Sequence, residues 1–203
     1  MITLIDYGVG NLRSVQNALK FLGYPVSLTT DKKQIENADL IVLPGQGAFG
    51  EAMQNLRDLG LVEIIKSHIK FKRPFLGICV GFQILFESSE EMGNHKGLGV
   101  FPGHMTLFDK SKLTVPHMGW NQLTIVSDPN EVFAGIPKNP TMYFANSYYV
   151  PESTGVSATT RYGVEFVSVV QGPNLLAAQF HPEKSGPSGL SLLSNFLSRV
   201  ITP

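Results

Sequence analysis

Cys79 is the only cysteine in the chain, and it stands in "LGICVGFQILF", where an apolar run gives way to a helical pattern. That places the thiol on a tight strand-to-helix turn, with Gly77 and Gly81 letting the backbone double back. A helix N-terminus favours thiolate over thiol, and it leaves the Val80 N–H free to donate to a developing oxyanion. The chemistry such a turn supports is nucleophilic attack on a carbonyl or amide. Taken alone, the stretch from Gly77 to Gly81 fits a packed, inert thiol equally well.

Nucleophilic attack needs a base near the thiol and a group that orients the base. The sequence has five histidines. His68 and His95 lie in polar helix or loop context and are expected to be solvated. His104 and His117 sit near strand edges, each followed by Met, with no carboxylate close in sequence. His181 differs. In "LLAAQFHPEKSG" it ends a long apolar strand, Pro182 stops the ladder, and Glu183 follows two residues on. Residues two apart in extended chain point to one side, so Glu183 can hold the His181 imidazole. The competing reading is a strand-end His-Pro turn with a solvated glutamate.

The elements that must carry these groups alternate through the first half. "MITLID" reads as a buried strand, and "NLRSVQNALKFLG" as a helix capped by Asn11 and stopped at Gly23, with Leu12, Val15, Leu19 and Leu22 at helical spacing. "YPVSLTT" and "ADLIVLPG" are further strands, Phe49 to Lys72 is a helical region, and "PFLGI" is a fourth strand. Apolar strands in strict alternation with helices predict a parallel sheet covered by helices. After about Glu90 short strands and turn residues dominate, predicting an antiparallel or mixed region, with a last helix over Gly189 to Arg199. No linker composition marks a boundary near Glu90, so residues 1–203 read as one α/β domain.

Bulk composition narrows the function classes. Lys and Arg total 16, Asp and Glu total 16, and the net charge is zero. That balance gives no electrostatic footprint for nucleic acid or an anionic membrane. One cysteine excludes internal disulfides and a cysteine-rich zinc cage. The N-terminus lacks a basic n-region and reaches Asp6 at once, unlike a signal peptide, and no uncharged apolar run is long enough to span a bilayer. A cytoplasmic location is expected. "YGVGNLRSV" has Arg13 where a dinucleotide fingerprint needs its third glycine, and there is no phosphate-cradling loop.

"GICVGFQ" together with "FHPEKS" resembles the class I glutamine amidotransferases, whose triad runs Cys, His, Glu along the chain. "YGVGNLRSVQNAL", "PGQGAFGEAM", "MGWNQL" and "NSYYV" resemble, within that family, the glutaminase subunits of imidazole glycerol phosphate synthases. The likeness extends from Asp6 to Ser185. It implies a flavodoxin-like three-layer sandwich, a mainly parallel sheet with helices on both faces and an added antiparallel or mixed β region. It also implies hydrolysis of glutamine to glutamate and ammonia through a glutamyl thioester, with Cys79 as nucleophile, His181 as proton shuttle and Glu183 as orienter. The oxyanion donors are then the backbone amides of Val80 and Gln46, the latter in a "PGQG" loop where glycines make a peptide flip easy.

The same likeness assigns substrate binding to Gly47, Gln83, Glu91, Ser147 and Tyr148, with Glu90 a rival to Glu91 for the α-ammonium. It implies no cofactor and no metal. The partner implied is a (β/α)8 barrel cyclase that receives the ammonia and makes imidazole glycerol phosphate and AICAR in histidine biosynthesis. Asn11, Trp120, Tyr143 and Lys184 match positions facing that barrel. The chain departs from the common pattern at Gln46, where a small aliphatic residue is usual, and at Asn146, where histidine is. Val80 and Phe82 replace the commoner Leu and Met. A glutaminase feeding a different acceptor synthase, a cysteine peptidase on a similar fold and a silent assembly subunit are the alternatives.

Overall fold

A computed structural model describes residues 1–8 and 10–201, so Val9 of the "YGVGN" stretch and the last two residues lie outside the described part. The first half alternates as expected: β1 (Ile2–Ile5), α1 (Leu12–Phe21), β2 (Val26–Thr29), α2 (Lys32–Glu36), β3 (Leu40–Leu43), α3 (Phe49–Asp58), α4 (Val62–Lys70), β4 (Phe75–Ile78) and α5 (Val80–Gln83). The second half is built from β5 (Ser88–Ser89), β6 (His95–Lys96), β7 (His104–Leu107), β8 (His117–Gln122), β9 (Thr124–Ile125), β10 (Thr141–Asn146), β11 (Tyr148–Tyr149), β12 (Val156–Tyr162), β13 (Val164–Gly172) and β14 (Leu175–Ala178). The last helix is α6 (Gly186–Val200).

One eight-stranded sheet runs β2-β1-β3-β4-β14-β13-β12-β9. Its first five strands are parallel, and the remaining pairs are antiparallel. The parallel half thus has the strand order of the flavodoxin-like fold. Strands β1, β3, β4 and β14 are buried at every residue, which is why, Thr3 apart, they read without polar alternation. Edge strand β2 keeps Leu28 43% exposed. Two smaller sheets, β10-β8 and β11-β7-β5-β6, form the mixed region.

Helix boundaries follow local chemistry. Asn11 Oδ1 accepts from the Ser14 N–H at 3.3 Å and starts α1. The helical region expected over Phe49 to Lys72 is two helices, not one. Gly60, at φ +64, closes α3 by donating to Arg57 O, while Leu61 donates to Leu56 O, and the buried Leu61 side chain turns the chain into α4. The short α2 was not anticipated, because in "DKKQIENA" it buries only Ile35; Asp31 caps it. α6 begins three residues earlier than expected, with Pro187 in its first turn. α5 is a single turn, shorter than the apolar pattern suggested.

Candidate active site

Cys79 follows the last residue of β4 directly and has φ 55, ψ −109. A non-glycine residue with positive φ stores strain, and here the sheet enforces it: Cys79 donates its N–H to Ala178 O at 2.8 Å. The two flanking glycines are required by contact. A Cβ on Gly81 would lie 1.8 Å from Leu43 O, and one on Gly77 would lie 2.8 Å from Gly81 O. The elbow therefore nests α5 against the end of β3. Val80 occupies the first helical position, where an N–H has no partner within the helix.

His181 reaches the thiol because β14 lies beside β4, with Ala178 paired to Ile78. His181 comes three residues beyond that pairing, and at Pro182 the chain enters a 3-10 turn. The turn is clamped: His181 donates its N–H to Tyr143 O at 2.9 Å, and Ser185 Oγ donates to His181 O at 2.6 Å while accepting from the Tyr143 N–H. His181 Nδ1 is 2.9 Å from Glu183 Oε1, and both side chains are buried. Burial works against the imidazolium, but hydrogen bonds to Cys79 and Glu183, together with their charges, outweigh it and push the His181 pKa up to about 9. The ring thus holds its proton at neutral pH, facing the thiol. Glu183 is not solvated.

A cleft of about 270 Å³ opens over the sulfur. Gln46, Gly47, Cys79, Val80, Gln83, Glu91, Ser147, Tyr148 and His181 all face into it. Glu91 also accepts the Phe49 N–H at 2.6 Å, at the start of α3. Glu90 is turned away, accepting from the Leu107 N–H at 2.8 Å with His104 at 3.9 Å. Burial and the carboxylates of Glu91 and Glu90 push the Tyr148 phenol up.

Gln46 and Gly47 are exposed at the mouth, Gly47 at φ +109. Behind them Tyr7 donates its buried hydroxyl to Pro44 O at 2.6 Å. A Cβ on Gly45 would come within 2.9 Å of that hydroxyl and 2.5 Å of Val80 Cβ, so the loop is wedged between Tyr7 and the elbow.

The residues expected at a partner surface fall beside His181 and Glu183. Trp120 and Tyr143 are cross-strand partners whose rings meet edge-on at 6.0 Å, and Lys184 Nζ lies 6.0 Å above the Tyr143 ring. Trp120 is 58% exposed, so it is not a core residue. Asn11 lines a small void behind His181 and Glu183.

Sequence reading missed Gln179. It is fully buried, its Nε2 lies 3.9 Å from Cys79 Sγ, and its Oε1 accepts from Gln83 Nε2 at 3.1 Å. The signal was present as one polar residue inside an apolar strand end. His68 was expected to be solvated but is buried, bonding Pro74 O through Nε2 at 2.8 Å. Among the described residues no three His, Cys, Asp or Glu side chains gather as metal ligands, and no helix is long and apolar enough to cross a membrane.

The glutamine amidotransferase class-I family matches residues 3–200. The imidazole glycerol phosphate synthase subunit HisH of Aquifex aeolicus is 48% identical over 95% of this chain and 94% of its own length. The subunit of that name from Geobacter sulfurreducens is 48% identical over 96% and 97%. Among solved structures, a glutamine amidotransferase superposes with a TM-score of 0.76 at 19% identity, covering 98% of this chain and 99% of its own. A chain of PurLQS from Thermotoga maritima superposes with a TM-score of 0.71 at 20% identity, covering 97% of each.

Proposed function

The chain belongs to the class-I glutamine amidotransferases, and on that premise we propose that it is the glutaminase subunit of an imidazole glycerol phosphate synthase, with Cys79, His181 and Glu183 as its triad. It hydrolyses glutamine and supplies the ammonia to a cyclase subunit, here taken to be a (β/α)8 barrel. We read residues 1–203 as a single cytoplasmic domain. The observation that carries this is the cleft itself, where sulfur, imidazole and the proposed glutamine ligands converge.

Cys79 Sγ attacks the side-chain amide carbon of glutamine. Charge moves onto the amide oxygen, which the Val80 and Gln46 N–H groups receive. The His181 imidazolium protonates the leaving nitrogen, the C–N bond breaks, and ammonia departs from a glutamyl thioester. Water then gives a proton to neutral His181 as it attacks, the C–S bond breaks, and glutamate leaves with the sulfur free again. Gln83, held by Gln179, and Gly47 line the substrate's path. Glu91 takes the α-ammonium, and the Ser147–Tyr148 backbone takes the α-carboxylate. No step requires a metal or cofactor.

Exposed Trp120 with Tyr143, Lys184 and Asn11 supports a docking face for the cyclase beside the triad. Free ammonia protonates in bulk water, so release next to that face is what makes the hydrolysis useful. The test is glutamate release with and without the cyclase and its substrate. Cys79→Ala is expected to abolish release, and the cyclase with its ligand to raise the wild-type rate. Full activity of the isolated chain, indifferent to the cyclase, would overturn the coupled reading. Coupling to another acceptor synthase in its place would favour the alternative glutaminase.

A further inference from the structure

His117 lies buried in β8, stacked between Tyr162 at 4.1 Å and Phe144 at 5.0 Å, with Phe108 and Phe166 edge-on. Its hydrogen bonds have a direction that the neighbouring amides determine. Asn121 Nδ2 donates to Arg161 O at 3.1 Å, and Asn121 Oδ1 accepts from the Gln122 N–H at 2.8 Å, which fixes that amide's orientation. The same Nδ2 lies 3.2 Å from His117 Nε2, so Nε2 must accept. The ring proton of neutral His117 is then on Nδ1. Burial pushes the imidazolium down to about pH 4, so the neutral ring is the resident form.

Asn146 is the cross-strand partner of His117, at the end of β10. Its Nδ2 donates to Tyr148 O at 3.0 Å, which leaves Oδ1 turned the other way. His117 Nδ1 and Asn146 Oδ1 are both buried, and neither has a hydrogen-bond partner. One is a donor and the other an acceptor, on residues that are cross-strand neighbours. The leftover groups are complementary: joined, they would link the Asn121–His117 bond to the Asn146–Tyr148 bond at the cleft wall.

We propose that His117, as its Nδ1–H tautomer, is a positioning residue for glutamine binding. It holds the Asn146 amide, which fixes the Tyr148 carbonyl and so the set of the Ser147–Tyr148 backbone that grips the substrate's α-carboxylate. This rests on the hydrolase reading above. His117 itself touches neither substrate nor sulfur, so its loss acts on affinity and leaves the chemistry intact.

The test compares His117→Phe and His117→Asn in the full chain with its cyclase. The phenyl ring keeps the aromatic stack and removes the donor; the asparagine amide restores a donor near the Nδ1 position. His117→Phe is expected to raise KM for glutamine about tenfold, about 1.4 kcal/mol, with kcat within about twofold. His117→Asn is expected to recover KM to within about threefold. Alkylation of Cys79 by iodoacetamide, which needs no carboxylate grip, is expected at the wild-type rate in both. Unchanged KM in His117→Phe, a parallel loss of kcat and alkylation, or no recovery in His117→Asn would overturn the proposal. Should His117→Phe not fold, Asn146→Asp decides: it removes the donor to Tyr148 O without touching the stack, and an unchanged KM overturns. A wild-type protein that releases no glutamate overturns the hydrolase reading as well.

Discussion

Cys79 gives its backbone N–H to the carbonyl of Ala178 at 2.8 Å, tying the carboxyl ends of two neighbouring parallel strands. Residues distant in sequence thereby share one end of the sheet. The strained turn after β4 presents the thiol, and the Pro182 turn after β14 presents the imidazole. Their separation is set by strand spacing and by the Tyr143–Ser185 clamp, not by flexible loops.

Glu183→Gln tests how much of this pair depends on charge. The carboxylate at 2.9 Å is one of the two groups that keep His181 protonated up to about pH 9. An amide keeps the shape but removes the charge, so the imidazolium is lost at lower pH. Glutaminase kcat at pH 8 is expected to fall about 10²-fold, and the alkaline limb of its pH profile to move toward neutrality. A pH–rate profile checks this; an unmoved alkaline limb would remove Glu183 as the orienter.

Much of the site was readable because its parts are local. Glycine on each side of Cys79, and Glu183 two residues past His181, are short-range patterns with a steric or geometric reason. The parallel core was readable because strands buried on both faces leave no polar alternation. What escaped depends on contacts between distant segments. Gln179 counts only because Gln83 and Cys79 lie on the neighbouring strand and turn. His68 looked solvated in a polar helix, yet it bonds the carbonyl of Pro74, just before β4. The break at Gly60 was hidden because both flanking helices have the same apolar period. Glu90 and Glu91 could not be separated until β7 was seen to occupy Glu90.

Trp120→Ala is expected to separate docking from folding. The ring is 58% exposed, meets Tyr143 edge-on and lies beside the Gly186 turn, so its removal should change stability by no more than about 0.5 kcal/mol. An exposed tryptophan at the centre of an interface is a typical hot spot, worth about 2 kcal/mol or more. Affinity for the cyclase should therefore weaken at least about thirtyfold, while glutamine hydrolysis by the isolated chain stays at its own level. Titration calorimetry with the cyclase, beside thermal melts of the free chain, makes the comparison. A large drop in Tm with unchanged affinity would show the ring to be structural.

Two buried histidines should leave opposite marks on stability. Burial lowers the His68 pKa to about 4, with its bond to Pro74 opposing and the Arg73 charge adding to the drop. The unfolded chain titrates near 6.5, so between about pH 6.5 and 4 it takes up a proton that the folded protein refuses. The stability tied to neutral His68 is therefore whole above pH 6.5 and is lost as pH falls through that window. His181 has the reverse sign: its folded pKa is raised, so its contribution is whole below pH 6.5 and is lost as pH rises through about 9. His68→Gln keeps a donor for Pro74 O and cannot titrate. Its urea midpoint is expected to fall less steeply than the wild type's between pH 6.5 and 4, with the two curves parallel above pH 7. Parallel curves through the acid window as well would show that His68 burial does not govern that part of the profile.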